Sequence, residues 1–197
     1  MPSKIEVWNL AFLRIGHDAN IQSEAEDSEE RKVISKLWPT ARDTALQAHT
    51  WGWAKTSATL ALTGTAIAGW QYSYRYPVDC VFARYINTGD RHKAAVPFPF
   101  EVAYDGASGR LIWTDAKDAV LVYTASIDVV SVYPPMFVEA LSYLLGAQLA
   151  MTITKSAKVR QETFNAYSLV VAQARANEKS EEQTDPLKES PAISFRA

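Results

Sequence analysis

The sequence holds one cysteine, Cys80, so no disulfide can close within the chain, and a reducing compartment suits it best. Histidine is nearly as scarce. His17, His49 and His92 lie in separate segments without HxxxH or HxxE spacing, which gives no basis for a metal site. CxxC pairs, Walker loops, GxGxxG turns and GxSxG elbows are all missing. An excess of either charge is missing too, since 20 Lys and Arg face 22 Asp and Glu. The resulting net charge of -2 argues against strong general affinity for nucleic acid. No apolar run approaches the roughly 20 residues that cross a bilayer. The opening MPSKIEVWNLAF lacks the basic flank, apolar core and small-residue cleavage site of a secretory signal. Together these absences predict a soluble protein made in the cytoplasm, with no cofactor and no metal.

What the chain does have is a globular composition. Its 197 residues are 48% hydrophobic and 21% charged, enough for one domain or a small pair. Ser3 and Glu6 make a capping box ahead of Ile5, Trp8, Phe12 and Ile15 at helical spacing, and Gly16 marks the stop. After a polar loop, Asp27 or Ser28 caps a second helix, with Glu29 and Glu30 placed against its dipole. Its stripe is Ile34, Leu37, Trp38, Ala41 and Ala45, and Pro39 within it predicts a kink or break.

From Trp51 onward β-branched and aromatic residues dominate, with turn signals at TGTAIAG, NTGDR and DGASGR. This predicts four to seven strands in a sheet or small sandwich. AVLVYTASI reads as a strand buried on both faces. Tyr133-Pro134-Pro135 then opens a helix carrying Phe137, Leu141, Leu144, Gln148 and Met151 on one stripe. Ser156 caps a fourth, with Phe164, Tyr167, Val171 and Ala174 sharing a face. The expected fold is α+β. A four-helix bundle is built from residues 1–50 and 134–179, an antiparallel β domain is inserted at 51–133, and a flexible tail occupies 180–197.

The stretch WQYSYRYPVDC concentrates aromatic residues before the lone cysteine. Trp70, Tyr72, Tyr74 and Tyr76 alternate, so all four point to one face of a strand, with Gln71, Ser73 and Arg75 on the other. Pro77 ends the pairing and suggests an edge. A row of tyrosines suits either a sandwich core or a subunit contact. The best enzymatic candidates are Glu101, Asp105, Asp115 and Asp118, since two acids beside an aromatic platform suit glycoside hydrolysis. Asp105 and Asp115 also fit turns, where aspartate is favoured by local hydrogen bonding. Cys80 lacks a nearby histidine in the sequence and reads as a small buried hydrophobe.

The chain resembles the tail tubular protein A, or head-to-tail adaptor, family of short-tailed bacteriophages. The resemblance rests on VWNLAFLRIGH, LWPTARDTALQAHTWGWA, WQYSYRYPVDC and VLVYTASIDVVSVYPPMFVEALSYLLGAQLAMTIT, in that order from about residue 5 to 175. Tyr76 departs from the leucine usual before Pro77, and Val78 from a small polar residue. The resemblance implies a structural virion protein of the viral tail and no enzyme. It implies a homo-oligomeric ring, commonly of twelve subunits, between the portal protein and the tail nozzle protein. DNA passes through such a channel during ejection, without sequence-specific binding and without any membrane contact. Trp70, Tyr72, Tyr74 and Tyr76 are then candidate subunit contacts, and Glu30, Arg31, Arg42 and Asp43 candidate partners across neighbouring faces. The tail matches no part of the family pattern. Extended, residues 180–197 reach roughly 60 Å at about 3.3 Å each. Leu187, Ile193, Phe195 and Arg196 are its candidate portal-docking residues. The alternatives are a phage-associated glycan hydrolase or a carbohydrate-binding module, the latter disfavoured by the flanking helices.

Overall fold

The computed structural model describes residues 1–64, 69–87, 98–106 and 109–181, with side chains through Asn177. Four helices come from the two ends of this range. The first, α1 (Lys4–Arg14), begins with the expected capping box. Ser3 Oγ accepts from the Glu6 amide, and the Glu6 carboxylate accepts from the Ser3 amide at 2.7 Å. Gly16, just beyond its end, has φ +70°, a conformation that favours glycine. Ser28 caps α2 (Glu29–Ala48) by accepting from the Arg31 amide. The break expected at Pro39 does not occur, because α2 continues through it as one element. Pro39 faces solvent, where water can meet the carbonyl that the ring leaves without a donor.

Pro134 and Pro135 start α3 (Pro135–Ile153), and Ser156 Oγ accepts from the Val159 amide to cap α4 (Ala157–Glu181). The other three helices all pack on α3. Being enclosed, α3 is buried nearly all round, not along a single stripe, and Met151 of the expected stripe is exposed. Its length and apolar composition would suffice to cross a bilayer, contrary to the expectation that no segment comes close. More than half of its apolar window is covered by protein, as befits a central core helix. On α4, Tyr167, Val171 and Ala174 face inward as expected, but Phe164 points out and Thr163 and Val170 take inner positions.

Among the described residues, six strands form two three-stranded antiparallel sheets. One is ordered β1 (Lys55–Thr59), β6 (Val120–Ala125), β3 (Cys80–Asn87), and the other β2 (Tyr72–Arg75), β5 (Arg110–Thr114), β4 (Phe100–Tyr104). The near-continuous apolar run is β6, a central strand flanked on both sides. Tyr74 and Ile112 from one sheet share an apolar core with Ile86, Leu121 and Tyr123 from the other. The helices enclose a second core, and Ile127 touches both. Trp51, Ala54, Val130 and Tyr133 belong to that helical core, although the sequence reading assigned residues 51–133 to the β unit. Their aromatic and branched side chains resemble strand residues, yet the two short 3-10 turns, Gly52–Ala54 and Val130–Val132, deliver them to the helices.

Candidate functional site

Where α2 meets the β lobe, one arginine gathers a polar cluster. Arg42 donates from Nη1 to Asp128 Oδ1 at 2.6 Å, from Nε to Asp43 Oδ1 at 2.9 Å and from Nη2 to Ser126 Oγ at 2.9 Å. Ser126 Oγ donates onward to Asp43 at 3.0 Å, and Trp38 Nε1 donates to Asp128 at 3.2 Å. Burial alone would push the Asp128 carboxyl up, but the Trp38 and Arg42 donors outweigh it and hold the group below its ordinary range. Burial likewise opposes the charge on Arg42, and the two carboxylates more than restore it. A carboxylate held ionised in this way is a clamp, poorly suited to giving up a proton. Two more arginines satisfy carbonyls at the end of α2, where helical partners run out. Arg84 Nη2 donates to His49 O at 2.8 Å, and Arg175 Nη2 to Ala48 O at 2.7 Å.

The four charges proposed for contacts between subunits are therefore engaged within the chain. Arg42 and Asp43 belong to the clamp, Arg31 donates from Nε to the Glu26 carbonyl, and Glu30 lies 3.4 Å from His17 Nε2. Sequence spacing on α2 could not reveal this, because Ser126 and Asp128 come from 84 and 86 residues away.

In the aromatic stretch, β2 is an outer strand as expected, yet its far edge is partly covered. The Thr63 amide donates to Ser73 O at 2.9 Å, and the Arg75 amide to Ala61 O at 2.8 Å. Tyr74 and Tyr76 are only 2% and 8% exposed within the β core, so they are sandwich residues and present nothing to a second subunit. Tyr74 even turns its hydroxyl inward, donating to Ala116 O at 2.9 Å. Trp70 and Tyr72 are half-buried and keep some accessible surface. Ser73 is buried as well, so the expected alternation of wet and dry faces fails at the centre of the strand.

Arg110 stacks over the Tyr76 ring at 4.1 Å, beside buried Cys80. Burial pushes the Cys80 thiol up, which keeps it protonated and a poor nucleophile. Tyr123 donates to the Asp79 carboxylate at 3.0 Å, and its phenol is pushed up to about 12 by burial and by that charge. Burial also raises Tyr76, Tyr133 and Tyr167. A phenol of the unfolded chain ionises near pH 10, so the stability from neutral Tyr123 is present below that pH. It is lost as pH rises through about 12. Unfolding free energy is therefore expected to fall steeply above about pH 10, in step with tyrosinate absorbance. Tyr123→Phe should flatten part of that slope, and an unchanged slope would count against the assignment.

The four candidate acids do not converge. Asp115 Oδ1 accepts from the Gln71 amide at 2.9 Å, and Asp118 sits in a turn at φ +52°. Asp105 flanks the β4–β5 turn, its amide donating to Gly109 O. Glu101 is exposed on β4 opposite Trp113. Asp115 and Asp118 line a shared cleft of about 340 Å³. Among the described residues no group of three or more His, Cys, Asp and Glu is arranged to hold a metal. His92 and the tail residues Leu187, Ile193, Phe195 and Arg196 lie outside the described residues.

The sequence reading missed the exposed apolar side chains. Phe82 and Tyr85 lie on β3 and Val102 and Tyr104 on β4, each an outer strand of its sheet, while Phe164 and Leu169 protrude from α4. Phe164 fits a stripe by spacing, so periodicity alone assigned it inward. An apolar cleft of about 280 Å³ also opens between the end of α2 and the start of α3, floored by Trp51, Trp53 and Met136. No family model matches the chain, and no curated protein matches it significantly.

Proposed function

We propose that this chain is a structural adaptor of a short-tailed phage virion, forming a ring, a dodecamer by analogy, between portal and tail nozzle. On this reading the four helices act as one bundle, and the protein is made in the host cytoplasm and incorporated into the tail. It is not an enzyme, and DNA slides through the ring without sequence-specific contacts. The observation that carries the reading is that large apolar side chains are exposed on two unlike elements, Val102 and Tyr104 on the outer strand β4 and Phe164 and Leu169 on α4. Ring neighbours meet through two different faces of one subunit, so closure requires two unlike adhesive patches. Exposed apolar residues in clusters are commonly contact sites. The net charge of -2 suits a channel that must not grip phosphate. The order of the four quoted sequence segments supplies the family.

The test is native mass, alone and with the cognate portal. A ring of many 21.9 kDa copies, either free or on the portal, is the expected result. Tyr104→Glu and Leu169→Glu should each abolish it while leaving the monomer folded, because a charge would then be buried unpaired. A protein that stays monomeric beside its portal would end the adaptor reading.

A further inference from the structure

The molecule has two cores, and little apolar material joins them. Among the described residues Ile127 packs on both, and Val81 of β3 reaches the helical one. The chain passes between the lobes twice. Trp51 and Ala54 anchor the first crossing in the helical core, and Val130 and Tyr133 anchor the second. Between those anchors and the sheets lie the Ala54–Lys55 junction and the irregular residues 126–129. Beside them a cleft of about 500 Å³ parts α2 from the β lobe. Thr40, Asp43 and Gln47 line it on the α2 side, Asp79 and Arg110 on the other. Lobes that meet through a small, polar interface turn on one another unless something fixes their angle.

We infer that the β lobe is hinged on the helical bundle at residues 54–55 and 126–129, with Arg42 as the latch that holds the cleft open. The polar cluster around Arg42 grips the hinge itself. Arg42 donates to Asp128 at 2.6 Å and to Ser126 at 2.9 Å, Ser126 donates to Asp43, and Trp38 donates to Asp128. Trp38, Arg42 and Asp43 all belong to α2, so letting go of them frees residues 126–128 from the bundle. Arg84 holds the His49 carbonyl at 2.8 Å, but at the first crossing, near the axis, where a rotation moves it least. A partner for the closed position is already in place. Arg110 is held flat on Tyr76 at 4.1 Å, and its hydrogen bond to Cys80 O is a long 3.5 Å. No carboxylate pairs with it among the described residues. Closure passes Asp43 from Arg42 to Arg110, exchanging one charge-assisted pair for another. The two positions then differ by little, and the latch decides between them. Asp79, on the same wall as Arg110, stays with Tyr123 at 3.0 Å. The inference stands on the two lobes alone and does not depend on the adaptor reading.

The test uses the full chain with Cys80→Ala, so that nitroxide labels attach only where they are placed. One pair, Lys36→Cys and Lys117→Cys, spans the lobes from exposed sites on α2 and on the β5–β6 turn. A control pair, Lys36→Cys and Lys158→Cys, lies within the helical bundle. Pulsed electron resonance reads the distances in each. In Arg42→Gln a second distance between the lobes is expected to gain about tenfold in population, with the control pair unchanged. Adding Arg110→Gln should then remove that second distance. A distribution between the lobes that is the same with and without Arg42 overturns the hinge. A second distance that survives Arg110→Gln overturns the exchange of Asp43. Should Arg42→Gln disturb the control pair, Ser126→Ala replaces it, since it removes one hydroxyl of the clamp and no charge. The same second distance is expected there at a smaller gain, and its absence is equally fatal to the hinge.

Discussion

Alanine in place of Phe137 is expected to cost about 3–5 kcal/mol of unfolding free energy, the range for a large buried ring. Phe137 is fully buried near the start of α3. Three rings meet its own edge to face, Trp51 at 5.1 Å, Trp53 at 5.0 Å and Tyr133 at 4.8 Å. Those three residues arrive from segments outside the helices and tie the chain crossings between the lobes to the helical core. Truncation would leave a cavity that rings held from several directions cannot collapse to fill, and each aromatic pair adds about 0.5–1.5 kcal/mol beyond area. The floor of the cleft would loosen with it, so exchange at Gly52 and Trp53 should rise more than in α1. Phe137→Leu should recover more than half of the loss, because volume matters most there. Denaturant midpoints at constant slope provide the measurement. A deficit below about 1 kcal/mol for the alanine variant would mean that this aromatic cluster is not a keystone.

Valine at Gly146 should be nearly as damaging, for the opposite reason. Gly146 lies in the middle of α3 where α1 and α4 close in from two sides. A single Cβ there would already stand 3.1 Å from Ala11 O, 3.2 Å from Thr163 Cγ2 and 3.3 Å from Arg14 Cβ. Two further methyl groups have no free volume, and the nearest obstacle is backbone, so α1 must move outward. Overpacking of this kind costs about 1–3 kcal/mol and sometimes more. Arg14 would be displaced from Ser142 and from Tyr143, whose hydroxyl accepts from Nη1 at 2.9 Å, which places the variant at the upper end. Alanine is the informative control. It gains about 1 kcal/mol of helix propensity over glycine but must push its neighbours by a few tenths of an ångström. Its melting temperature should therefore lie far closer to that of the parent than that of valine. Equal stability of the valine and parent proteins would show that the three helices have slack here.

Much of the fold was legible in the sequence because it depends on neighbours along the chain. The Ser3–Glu6 box, the Ser28 and Ser156 caps, Gly16 as a stop and the Pro134-Pro135 entry are all settled within a turn of backbone. The apolar run that became β6 declared its central place by lacking a polar face. The candidate site was much less legible. Alternation placed Tyr74 and Tyr76 on one face of a strand, but it could not say that the other sheet would cover that face. The same spacing rule sent Phe164 inward, and it protrudes, because α4 packs mainly against α3 and needs a narrow stripe.

The sequence by itself determined where helices begin, that strands fill the middle, and that the lone cysteine would be an apolar filler. Those outcomes follow from short-range hydrogen bonding and from the period of apolar residues. Only the tertiary structure decided that Arg42 would clamp Asp43 to Asp128, that Trp51 and Tyr133 would join the helical core, and that a cleft would open beside the last turns of α4. Each of these joins residues dozens of positions apart. Such pairings are fixed by how whole elements fill space against one another, and no local pattern records them.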